Sequence, residues 1–210
     1  MLDWFLETRC PLPHAAQRID ELGPGRAIQS NRVWFAKVWQ MVKRSSQQSL
    51  EPDFLLLLSV REPLDEAMAC YVLGRFLACV AMAASAVELA LGFELRLRSV
   101  DIDMLTLGSL IREAEDIRFV EKGSPLDKDL WELNTLRIDA LHFSDIKKAK
   151  EMSNPLFYKA IGTGGPTIND QPYEGPLRDK ARTSIDLMER TIRNLWREAL
   201  VELEAEKKPG

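Results

Sequence analysis

Residues 61–98 read REPLDEAMACYVLGRFLACVAMAASAVELALGFELRLR, and this stretch decides the fold. From Phe76 to Val87 it carries no charge, and Ala78, Ala81, Ala83, Ala84 and Ala86 offer neighbouring helices a close approach. Pro63 suits a first helical turn, where its missing N–H would have no partner in any case. The stretch therefore predicts one long central helix from Arg61 to about Arg98. Its uncharged run of twelve residues is shorter than the roughly 20 that span a bilayer. The expectation is a core helix of a cytoplasmic protein, without membrane contact.

On the C-terminal side, Asp101 or Asp103 can cap a helix with apolar positions Leu107, Leu110, Ile111 and Ala114, which Gly123 would end. Ser124-Pro125 opens the next helix, with Asp127 and Asp129 at the positive end of its dipole. Residues 152–175, rich in Gly, Pro and Asn, read as a long loop. A last helix from about Pro176 to Glu206 carries the stripe Leu177, Ala181, Ser184, Met188, Ile192, Leu195, Ala199, Leu203.

On the N-terminal side, one helix follows Pro13 and stops at Gly23-Pro24-Gly25. A second begins after Ser30-Asn31 and is apolar nearly all round, through Val33, Trp34, Phe35, Val38, Trp39 and Val42. Ser45–Ser49 is a polar break. Phe54–Val60 reads as a strand or as a short buried helix, and no Asn-Gly or Asp-Gly hairpin turn accompanies it. The predicted architecture is all-α. It is a bundle of four to five helices over residues 61–210, preceded by a helical extension over residues 1–60.

Composition agrees with a folded domain: 210 residues, 46% hydrophobic and 29% charged, with net charge −4. That acidic balance argues against a broad basic face for duplex DNA. Cys10, Cys70 and Cys79 form no CxxC pair and read as free thiols in a reducing compartment. The first residues lack the basic and apolar segments of a signal peptide. There is no GxxxxGK[ST], no strand followed by GxGxxG, no HExxH, no zinc-spaced Cys/His quartet and no GxSxG. Gly162–Pro166 reads as loop, and Asp101 and Asp103 read as caps. No metal and no cofactor are expected.

Two histidines narrow the search. His14 reads as a surface residue. His142 ends the segment LNTLRIDALH, residues 133–142. On a helical wheel Leu133, Leu136, Ala140 and Phe143 form the core stripe, with Arg137 at its edge. His142 falls on the opposite side, flanked by Trp131 and Ile138, with Asn134 and Asp145 near. The spacing alone is met by Arg137 pairing with Glu88 or another acid inside the bundle while His142 caps the helix.

Three elements in order, Ser-Ala-Val-Glu88, then LTLGSLIR (105–112), then Leu-x-x-Leu-Arg137-x4-His142, resemble the HEPN domain over about residues 62–206. The resemblance implies a metal-independent endoribonuclease, a toxin or anti-phage defence component, acting as a homodimer and held in check by an inhibitory or antitoxin partner. It places Arg137 on the scissile phosphate of an RNA substrate and His142 on the ribose 2′-hydroxyl, with a 2′,3′-cyclic phosphate as product. Asn134, Asp139, Asp145 and Glu88 would support the pair. Trp131 and Ile138 would form the dimer interface, and Lys147, Lys148 and Lys150 would meet the RNA backbone.

The chemistry suits these types, since imidazole exchanges protons near neutrality and guanidinium offers bidentate donors to phosphate. On a regular helix the two side chains stand roughly 140° apart, so one phosphate meets both only at a helix end or across a dimer. Arg32, Lys37, Lys43 and Arg44 suggest a further basic surface. One departure stands out: Ile138 follows Arg137 directly, where the family motif carries a polar residue, often Asn. That departure implies the alternative of a catalytically inactive HEPN-like module for dimerisation or nucleic-acid binding. A small-molecule-binding bundle with the 152–175 loop as lid is a third reading, which no residue pattern singles out.

Overall fold

The computed structural model describes residues 15–23, 25–44, 51–103, 105–141 and 174–206. Every regular element among them is a helix: α1 (Ala15–Leu22), α2 (Arg26–Arg44), α3 (Glu51–Ser59), α4 (Arg61–Val72), α5 (Phe76–Arg96), α6 (Leu107–Asp116), α7 (Pro125–Leu141), α8 (Glu174–Leu195) and α9 (Arg197–Glu206). The all-α expectation holds.

The central stretch is two helices, not one. The backbone leaves α4 through Gly74 at φ +72°, with Gly74 N–H donating to Tyr71 O (3.0 Å) and Arg75 N–H to Cys70 O (2.8 Å). That 6→1 bond is the Schellman ending, and only glycine takes this conformation without steric cost. A side chain there would also strike Arg18, whose Nη1 lies 2.8 Å from the position a Cβ would take. Gly74 was the stop signal inside an otherwise helical pattern.

α5 then runs through the middle of the bundle, against α3, α4, α6, α7 and α8. It is long and apolar enough to cross a membrane, but thirteen of its residues, from Phe76 to Leu95, are buried by protein. Its small side chains, Ala83, Ala84, Ala86 and Ala90, are wholly covered. Burial of this apolar surface is the main favourable term in holding the bundle together.

Other boundaries moved for identifiable reasons. α6 is capped by Thr106, whose hydroxyl accepts from Ser109 N–H (3.4 Å), and not by Asp101 or Asp103. It ends at Asp116, well before Gly123, because Arg118 itself adopts φ +58° and lets Phe119 N–H reach Ala114 O at 2.9 Å. The same ending follows α5, with Ser99 at φ +62°. Such non-glycine stops leave no compositional mark.

α2 starts at Arg26, directly after the Gly25 turn, and Ser30 is a buried residue rather than a cap. The Phe54–Val60 run is helical, with Leu57 and Val60 inward and Leu55 outward. The last helix is divided at Trp196, which is itself fully buried. Val33, Met41, Leu57 and Val60 belong to the same buried cluster as the residues of α5 and α8. Ser45–Ser49 and most of the 152–175 loop lie outside the described residues.

Candidate functional site

α7 is built from a clear local code. Ser124 Oγ accepts from Asp127 N–H (3.2 Å), and the Asp127 carboxylate accepts from Gly123 N–H (2.7 Å), so the N-terminal donors are satisfied reciprocally. Its inward face is rotated from the expected stripe. Leu130, Leu133, Asn134 and Ala140 are buried, Leu136 is only half-buried, and Arg137 lies at the edge of this face, as the spacing predicted.

Two features of the neighbouring helices explain the rotation. Gly108, in the first turn of α6, has no Cβ, and the Asn134 amide occupies the space, 3.2 Å from where that atom would be. Glu88 on α5 supplies the charge Arg137 needs. Its Oε2 accepts from Leu107 N–H (2.9 Å) and meets Arg137 Nη1 at 3.3 Å. The carboxylate thus sits at the positive end of the α6 dipole and beside a guanidinium, two independent sources of stabilisation. One side chain joins three helices. Arg137 and Glu88 keep about a quarter of their side-chain surface exposed (24% and 28%), so the pair sits at the rim of the core.

The remaining candidate residues disperse around this point. Asp139 faces outward and pairs with Lys180 of α8 at 3.5 Å. Trp131 is held by α6: its indole N–H donates to Glu115 (2.8 Å), and Arg112 lies over its ring at 5.9 Å. Ile138, two turns further along α7, is 46% exposed. His142, Asp145, Lys147, Lys148 and Lys150 lie outside the described residues, as does His14. The structure therefore brings together Arg137, Glu88 and Asn134, and it separates Asp139 and Trp131 from them.

Of the basic residues expected on α2, the three whose side chains are described each meet a carboxylate. Lys37 is buried against Glu94 of α5, with 2.7 Å between Nζ and Oε1. Arg32 pairs with Glu204, and Lys43 with Glu206, whose carboxyl is held below the ordinary range by the Lys43 bond. The side chain of Arg44 lies outside the described residues.

The Lys37–Glu94 pair is a polar centre that sequence reasoning missed. Arg98 Nη1 adds a second cation on Glu94 at 2.8 Å while its guanidinium covers Phe119 at 3.8 Å. The readable signal was a charge inside an apolar run on each helix, Glu94 in α5 and Lys37 in α2. Buried charges are seldom left without a partner, so two such charges on facing helices imply each other.

The two described thiols are held away from reactivity. Cys70 and Cys79 are free and buried, and burial pushes both thiols up, away from the reactive thiolate. Among the described residues no cluster of His, Cys, Asp and Glu is placed to hold a metal. No family model matches the chain, and no curated protein or solved structure matches it either.

Proposed function

We propose that this chain is a HEPN-like helical module that acts by binding, first of all a second copy of itself, and does not cut RNA. The observation that carries this reading is the engagement of Arg137 with Glu88 across the bundle. A guanidinium already neutralised by a carboxylate that also caps α6 has a structural job, and binding a phosphate there would put a second anion beside Glu88. Ile138 supports the same reading. It stands where the resemblance asks for a polar residue, and it presents an aliphatic side chain to solvent on the outward face of α7. An exposed branched aliphatic on the outward face of α7 suits a protein contact better than a hydrolytic site.

The ribonuclease reading keeps one observation in its favour. Arg137 retains a quarter of its surface and stands four residues before the end of α7, and His142 is the next residue of the sequence after that helix. Sedimentation equilibrium of wild type and Ile138→Asp tests the binding reading. It predicts a species of twice the monomer mass that falls to monomer in the variant, with the helical circular-dichroism signal unchanged. A wild type that stays monomeric at high micromolar concentration contradicts it.

A further inference from the structure

A second region, on the far flank of α8, has the features of a ligand site. Between the α1–α2 turn and α8 lies a cleft of about 450 Å³, within the size range of small-molecule pockets. Three arginines line it, and two of them are committed. Arg26 reaches across to Asp186 and to Glu189, the latter from Nε at 2.9 Å. Arg190 places Nε and Nη2 on Asp129 of α7 at 3.1 and 2.9 Å. Arg193 lines the same cleft one turn after Glu189 and is exposed, and among the described residues no carboxylate meets it.

We propose that this cleft binds a small molecule carrying an oxyanion, a phosphate monoester of mononucleotide size, with Arg193 as the residue that receives the anion. Guanidinium is a planar fork of donors matched to phosphate oxygens, and Arg193 has that fork open to the cleft. The opening of α2 reinforces it. Gly23 and Arg26 line the cleft at the start of this 19-residue helix, whose first turn contains no acidic side chain, so its positive dipole end is not already answered from within. Gln29, one turn further and exposed on the lining, offers an amide to the ligand's polar edge.

The two carboxylates of the cleft do not repel such a ligand strongly, because Arg26 bridges both. Glu189 is further engaged by the Ser30 hydroxyl (2.9 Å), and burial raises its carboxyl above the ordinary range. This site is separate from the Arg137–Glu88 pair, and its existence does not depend on the reading given there.

The test is calorimetric titration of the full chain at low ionic strength with AMP, inorganic phosphate, adenosine and an RNA octamer. AMP is expected to bind, phosphate to bind more weakly at the same site, and adenosine not to bind. Arg193→Ala should weaken AMP at least tenfold with the melting temperature unchanged, and Arg193→Lys should recover part of the loss. Arg193 is exposed and meets no carboxylate among the described residues, so the variant is expected to fold. No binding of AMP, binding of the octamer alone, or AMP binding that Arg193→Ala leaves intact would each overturn the proposal.

Discussion

Two glutamates of α5, Glu88 and Glu94, each receive a cation from a packed helix, and the contrast between them organises the molecule. Glu94 and Lys37 are buried almost completely (4% and 8% of side-chain surface), while Glu88 and Arg137 are about a quarter exposed. The first pair fixes α2 to the bundle at a place where both side chains are almost fully covered by protein. The second joins α5, α6 and α7 at a rim where water remains available. A buried charge deprived of its partner is costly, whereas a rim pair contributes modestly and is screened by salt. The same chemistry therefore has two different consequences, set by depth.

The largest effect is expected at the deep pair. Glu94→Ala leaves Lys37 buried without a carboxylate and removes the partner of Arg98, and should cost about 3–5 kcal/mol in urea unfolding. A loss below about 1 kcal/mol would show that the two pairs do not differ in kind. Arg137→Ala should cost about 1 kcal/mol, because Glu88 keeps its bond from Leu107 N–H and some access to water. Raising salt to 0.5 M should shrink the Arg137 difference and leave the Glu94 difference nearly intact.

A third carboxylate sharpens the scale by its response to pH. Glu189 is mostly covered, and its carboxyl is raised by burial, against the opposing pull of Arg26 and Ser30. An acid whose folded pKa exceeds its unfolded value gives stability below the unfolded pKa and loses it as pH rises through the folded one. Glu189→Gln is isosteric with the protonated form. Measured against wild type by urea midpoint, the variant should gain as pH rises from about 4 to about 7. A wild type that gains over this range would place burial behind the arginine as the controlling influence.

The parts of this fold legible in sequence are those governed by period and composition. The stripes of α6 and α8, the Ser124-Pro125 opening of α7 and the alanine-rich centre of α5 follow from apolar spacing and capping types. The parts that were not legible depend on tertiary partners. Arg118 and Ser99 end helices in a conformation their side chains do not advertise. The burial of Asn134 depends on the space left by Gly108 of α6 and the seat of Arg137 on Glu88 of α5, and neither is local to α7. Pairing with Glu88 was nonetheless among the readings the sequence allowed, since an arginine near a core stripe requires an acid across the interface. Gly74 was legible and sat inside a pattern strong enough to be read straight through.

The account rests on Arg137 being a structural cation and not a phosphate-binding one. Its most direct test is digestion of varied RNAs in excess EDTA by wild type, Arg137→Ala and His142→Ala, with analysis of the new 3′ ends. The account predicts no cleavage above buffer for any of the three. Cleavage by wild type that leaves 2′,3′-cyclic phosphates and disappears in both variants would contradict it, and would make Arg137 and His142 the ribonuclease pair that their spacing resembles.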